Sequence, residues 1–125
     1  MKTVVLKFGG TSVGNIERIK KVAKIITSYI KKKIRVIVVS SAMSGSTNDL
    51  IKKTKELSNN FDSAEYDVVL SSGEQVACAL IAGRLKHLGY KARSWMSWQI
   101  PIITDGLHSA SRINTINKDR ILKFI

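Results

Sequence analysis

The sequence is poor in cysteine, proline and acid. A single cysteine, Cys78, stands among 125 residues, so no internal disulfide can form. With no export signal in view, a reducing compartment is expected, and the cytoplasm is the default. Residues 1–14 do not read as a signal peptide, because the apolar run covers only Val4 to Leu6 before glycines follow. No apolar run approaches the ~20 residues of a membrane span, and no membrane partner is expected. Acidic residues number 9 against 21 Lys and Arg, a net charge of +12. Such an excess can serve nucleic acid, but its distribution argues otherwise. Residues 1–60 carry 13 basic and 3 acidic side chains, and residues 61–125 carry 8 and 6. The surplus falls on two expected helices, at Lys20, Lys21, Lys24 and Lys31–Lys33 and at Lys52, Lys53 and Lys55, as solvated faces do. No zinc-finger spacing or aromatic RNA-binding strand accompanies it, so nucleic acid is not an expected partner. His87 and His108 have no metal-ligand spacing, and no metal site is expected.

What is present is an ordinary globular balance, 44% hydrophobic and 24% charged, enough for one domain with a core. The stretch that organises it is Val4-Val5-Leu6-Lys7-Phe8-Gly9-Gly10-Thr11-Ser12-Val13-Gly14. A strand-type run ends beside a lysine, breaks into glycines and hydroxyls, and leads into a helical pattern. Glycines let a backbone approach an anion closely, and a helix N-terminus adds partial positive charge.

In chain order, residues 2–8 read as a buried strand. Asn15 can cap a helix with Glu17 in its first turn. Ile16, Ile19, Val22, Ala23, Ile26 and Ile30 make its apolar face. Ile34–Ser40 is a β-branched run, so strand, helix and strand form a βαβ unit with parallel strands. The small-residue loop Ser40–Thr47 then lies at a strand's carboxyl end, as does the Gly9–Gly14 loop, and the two should face one cleft. Asp49 to about Asn59 reads as a second helix, with Leu50, Ile51, Thr54 and Leu57 inward. Residues 64–70 fit a short strand or a helix start, and Ser71-Ser72-Gly73-Glu74 interrupts or kinks the stretch. Residues 74–88 are helical, with Val76, Ala77, Leu80, Ile81, Leu85 and Leu88 along one side and Gly89 beyond the end. Lys91–Met96 fits a third parallel strand. Residues 98–106 read as loop, short strand and turn, with Pro101 against a central position. Residues 107–117 give no clean period, and Ile121, Leu122, Phe124 and Ile125 form an apolar terminal segment.

Three constellations could carry chemistry. Lys7 with Gly9, Gly10, Thr11 and Ser12 is neither a P-loop nor a dinucleotide fingerprint, because the spacings differ. It fits charge neutralisation on a phosphoryl group and equally a tight turn with a surface lysine. Ser41–Thr47 fits phosphate or carboxylate binding, or a solvated turn. Ser72-Gly73-Glu74 fits an ammonium site, or a helix-start acid facing the dipole. Cys78 reads as a small core residue rather than a nucleophile. Trp95 and Trp98 read as core or cleft wall.

Four segments in register resemble the aspartate kinases of the amino-acid kinase superfamily. They are Lys7-Phe8-Gly9-Gly10-Thr11-Ser12-Val13, then Val38–Leu50, then Leu70-Ser71-Ser72-Gly73-Glu74-Gln75, and finally Trp98-Gln99 with Ile103-Thr104-Asp105 and Ser111-Arg112-Ile113. The resemblance spans essentially the whole chain. It implies an α/β fold, a three-layer αβα arrangement on a mainly parallel sheet of the carbamate-kinase-like type, incomplete in residues 1–125. These would form the N-terminal, aspartate-binding part of the kinase domain, without the C-terminal half or the ACT regulatory domains. It implies transfer of the ATP γ-phosphoryl group to the β-carboxylate of L-aspartate, giving 4-phospho-L-aspartate, with Mg²⁺ accompanying the nucleotide. This step opens the route to lysine, diaminopimelate, threonine and methionine. By the family pattern Lys7 would be catalytic and stabilise the transferring group. Phe8, Gly9, Gly10 and Ser41 would hold the phosphates. Thr47 and Glu74 would bind aspartate, Glu74 through its α-ammonium.

The sequence departs from that pattern where Ser97 precedes Trp98-Gln99, Ile100-Pro101 follows it, and Ser111 stands for alanine. The chain is about half of a family kinase domain by the resemblance. A homo-oligomer or a complementing C-terminal half is therefore a possible partner state. Two other readings stand beside an aspartate kinase. One is a superfamily kinase for a different carboxylate or carbamate, which Ser72-Gly73-Glu74-Gln75 disfavours. The other is an inert truncated remnant or basic interaction module, which the length and charge would suit.

Overall fold

The structure, a computed structural model, describes residues 1–125. Strand β1 (Thr3–Phe8) pairs in parallel with β2 (Arg35–Ser40), from Thr3 opposite Arg35 to Phe8 opposite Ser40. Between them runs helix α1 (Ile16–Lys31). This is the expected βαβ unit. Asn15 caps α1 by accepting the Arg18 amide at 2.9 Å. Ile19, Val22, Ala23 and Ile26 form its buried stripe, while Ile16 at the helix start is exposed.

Helix α2 (Ser46–Leu57) starts earlier than Asp49, directly from the loop after β2. It buries only Thr54, and Leu57 faces solvent rather than the core. Helix α3 (Ser63–His87) is the longest element, 25 residues with no interruption at Ser71–Glu74. Asp62 caps it by accepting the amides of Ala64 and Glu65, each at 3.0 Å. Its buried residues are Gly73, Ala77, Ile81, Ala82 and Leu85. Val76, Leu80 and Leu88, expected inward, face outward. By length and composition α3 could cross a bilayer. It packs instead against α1 and α2 and carries Glu65, Asp67, Glu74, Arg84 and Lys86, as a core helix of an α/β body does.

Lys91–Met96 forms no third strand. Tyr90 and Ala92 pack against the core, and Arg93 lies 4.3 Å over the Trp95 ring, which contacts Phe124 with centroids 4.6 Å apart. Stacking and a cation–π contact hold this segment in place of a ladder. Strands β3 (Ile102–Thr104) and β4 (Ile113–Ile116) form an antiparallel hairpin with an irregularity after Ile103. The terminal apolar segment is no strand. It holds a short helix, α4 (Lys118–Leu122), capped by Asn117.

The core lies on one side of the parallel pair, between α1, α3 and the inward residues Leu6, Phe8, Val36 and Val38. Val13, in the loop after β1, is also fully buried there. The strands alternate, so Val5 and Val39 point away from the helices and are 60% and 48% exposed. The strands expected to be buried on both faces are therefore buried on one. Parallel sheets are ordinarily covered on both faces, and within this chain the sheet has two layers, helices and strands, with its second face open.

Candidate functional site

Three segments converge at the carboxyl ends of β1 and β2. The first is the turn after β1, closed by the Ser12 amide donating to the Gly9 carbonyl at 3.0 Å. The amides of Gly9, Gly10 and Thr11 make no hydrogen bond within the chain, so three consecutive donors remain for something else. A row of N–H groups without partners is chemically suited to an anion. The second segment is the loop into α2. Its first amide, Ser41, donates to the Phe8 carbonyl at 3.0 Å and ties the loops together. Met43, Ser44, Gly45 and Thr47 again have unengaged amides. Gly45 caps α2 at φ +84, a left-handed conformation that favours glycine.

The third segment is the middle of α3. The Glu74 carboxylate accepts the Ala42 amide at 3.4 Å, a long contact. Glu74 therefore does not open a helix, and a dipole role at a helix start is excluded for it. The three segments are in van der Waals contact. A Cβ on Gly10 would lie 3.2 Å from the Ala42 carbonyl oxygen, and one on Gly14 would lie 3.3 Å from the Ser44 side chain. A Cβ on Gly73 would lie 3.0 Å from the Ala42 methyl. Ala42, itself buried, is the point where all three meet.

The expected site residues fall as follows. Gly9, Gly10, Ser41 and Glu74 come together around Ala42. Thr47 sits half-buried in the first turn of α2, on the same rim. Phe8 serves the site through its backbone, since its side chain packs on the core. Lys7 stands apart from that group. It alternates onto the open face with Val5 and Val39 and has no hydrogen-bond or ion-pair partner. No three His, Cys, Asp or Glu side chains form a metal-ligating group. Desolvation, followed by the charge of Glu74, pushes the Cys78 thiol up from its ordinary value. The shift favours the protonated thiol over the thiolate that a nucleophile needs. Trp98 is exposed, and so not part of the core in this chain.

Two features escape sequence reading. The Arg18 guanidinium donates to the Thr11 carbonyl at 2.8 Å. His108 Nδ1 lies 2.8 Å from the Asp67 carboxylate, which also accepts the Ser109 amide at 3.1 and 3.2 Å. These bonds hold Asp67 below the usual carboxylate range, with His108 the larger cause. The pairing spans 41 positions and leaves no periodic signal. Arg18 could have been suspected from its place in the first turn of α1, beside the preceding loop.

The sequence profile of the Amino acid kinase family matches residues 2–125. The chain belongs to that family. Among its relatives, the aspartokinase of Rickettsia felis is 48% identical over all of this chain and 32% of its own length. The aspartokinase of Geobacillus stearothermophilus is 46% identical over 97% of this chain and 30% of its own. The crystal structure of aspartate kinase from Synechocystis superposes with a TM-score of 0.75 at 40% identity, over 78% of this chain and 17% of that one. The chain thus has an amino-acid kinase α/β fold and spans about a third of the length of the curated relatives it matches.

Proposed function

We propose that residues 1–125 are the N-terminal, aspartate- and phosphate-binding part of an aspartate kinase. The observation that carries this reading is the meeting at Ala42 of two loops with unengaged amides and the carboxylate of Glu74. Amides suit the phosphate oxygens of ATP, and a carboxylate suits the α-ammonium of aspartate. In this reading the β-carboxylate oxygen of aspartate attacks the γ-phosphorus. The bond from that phosphorus to the β–γ bridging oxygen breaks, and ADP leaves with the electron pair. The amides of Gly9, Gly10 and Thr11 and the Ser41 region hold the phosphates. Thr47 and Glu74 fix the aspartate, and Lys7, which leaves β1 on the open face two residues before the glycine turn, supplies charge to the transferring group only by reaching round the end of the strand on its long stem. Positioning and charge neutralisation are the main demands of such a transfer. Magnesium has no ligand cluster in this chain. It would be held with the nucleotide's phosphates, where it would neutralise their charge. The setting is cytoplasmic.

The open sheet face supports a further part of this reading. Val5 and Val39 suit the packing layer of a complete kinase domain, supplied as further sequence or as a separate chain. The adenine end of ATP falls to that part. The first test is titration calorimetry with L-aspartate on the chain and on Glu74→Gln. Binding by the former and loss by the latter is expected. The second is ADP release from Mg-ATP with aspartate, measured on the chain joined to the remainder of a relative's kinase domain. Absence of aspartate-dependent turnover there would sink the proposal, and a preference for glutamate or another carboxylate would redirect it.

A further inference from the structure

Thr11 lies in the turn that the reading above assigns to phosphate, and its carbonyl is used twice. It accepts the Gly14 amide at 3.3 Å and the Arg18 guanidinium at 2.8 Å. The peptide plane that carries this carbonyl also carries the Ser12 amide, pointing the opposite way. That amide closes the turn onto the Gly9 carbonyl at 3.0 Å. Holding the carbonyl therefore fixes the rotation of the plane and, with it, the turn closure. The amides between the two anchored groups, Gly10 and Thr11, are then presented outward with no partner in the chain.

Arg18 is well placed to hold this. Its backbone amide is fixed by the Asn15 cap at 2.9 Å, and its side chain reaches back over the loop, seven residues, to Thr11. It has no carboxylate partner that would draw it away. A hydrogen bond with a charged donor is stronger than a neutral one. We propose that Arg18 is a positioning residue for the glycine turn. It orders the Gly10 and Thr11 amides for an oligophosphate and acts through the Thr11 carbonyl rather than by touching the ligand. The inference rests on the phosphate reading for its purpose, but its structural half is measurable without any ligand.

Beside Arg18 lies a hollow of about 280 Å³, lined by Phe8, Ser12, Lys21, Val22 and Ile25 as well as Arg18 itself. It is large enough to admit a guanidinium ion, which makes chemical rescue a usable readout.

The experiment compares the chain with Arg18→Met, Arg18→Lys and Arg18→Ala by amide hydrogen exchange in NMR. Pyrophosphate is the ligand probe. In Arg18→Met the amides of Ser12 and Gly14 should exchange about three- to tenfold faster, while those of Val22 and Ile26 in α1 stay unchanged. Arg18→Lys, which keeps a charged donor without the planar fork, should show a smaller rise. It carries the comparison if the methionine variant does not fold. Guanidinium ion should slow the exchange again in Arg18→Ala and leave the unmodified chain as it was. Pyrophosphate affinity should fall in step with the loss of protection. Unchanged exchange at Ser12 and Gly14 in the substituted chains overturns the proposal. So does a loss of affinity without any change in exchange, which would make Arg18 a direct charge on the ligand. If the unmodified chain does not bind pyrophosphate at all, the phosphate reading fails, and the exchange comparison still decides the role of Arg18.

Discussion

At the scale of single residues, small side chains decide the site. Gly73 lies so close to Ala42 that a methyl group would meet it at 3.0 Å. Gly73→Ala gains helix propensity in the middle of α3, worth about 1 kcal/mol, but pushes Ala42 and the loop toward the cleft. Overpacking of this kind costs roughly 1–3 kcal/mol. We expect the substitution to lower aspartate affinity with little net change in melting temperature. Calorimetric titration alongside thermal unfolding checks it. A second residue-scale expectation concerns Asp67. Its folded-state value is depressed, so its contribution is full above the ordinary aspartate range. It is lost as pH falls through the depressed value. The Ser109 amide resonance should report that loss at a pH below the ordinary aspartate value, and Asp67→Asn should abolish the titration. That the glycine turn and the hydroxyl loop lie side by side was legible, because each follows one of two paired parallel strands, and Glu74 was singled out by the resemblance of its segment to the family's. Asp67 with His108 was not, because neither residue carries a pattern and the fold alone brings them together.

At the scale of elements, the sequence signals worked where one face is buried and failed where it is not. Helix α1 shows a single stripe, and its cap and buried residues follow from periodicity. Helix α3 is apolar on several sides, so periodicity could not choose a face. Ser71-Ser72-Gly73 resembles a breaker, since glycine and serine favour turns. The helix runs through because Ala77, Ile81 and Leu85 are buried beyond that point, and Gly73 allows a close approach. Its start is then set by Asp62, which accepts two amides at 3.0 Å. Asp62→Ala should destabilise the chain by about 0.5–2 kcal/mol. Urea unfolding followed by circular dichroism measures this, and a midpoint unchanged from the parent would contradict it. Lys91–Met96, expected as a strand, found no neighbouring strand, and with one aromatic and no β-branched residue it has little strand propensity of its own.

At the scale of the whole molecule, the α/β class and the parallel βαβ unit were legible, because the β-branched runs and the helix between them allow little else. The open sheet face was not, since Val5 and Val39 read as core in sequence. A two-stranded parallel sheet with Val5, Ile37 and Val39 on an uncovered face, flanked by Lys7 and Arg35, is an association hazard. The chain by itself should bind an apolar dye such as ANS and self-associate at high concentration. Val39→Thr, which keeps the β-branch, should reduce both while changing stability little. Light scattering and dye fluorescence would show it, and an unaltered signal would mean that this face is not the adhesive one.

Ala42 touches the Gly10 side through its carbonyl and the Gly73 side through its methyl. Over the course of sequence drift, Gly10 has no side-chain partner to trade volume with, because a methyl there would meet a carbonyl that every residue carries. Positions 42 and 73 do share one space, and a larger residue at either closes it to the other. Two motifs far apart in the chain are therefore bound to vary together at that pair.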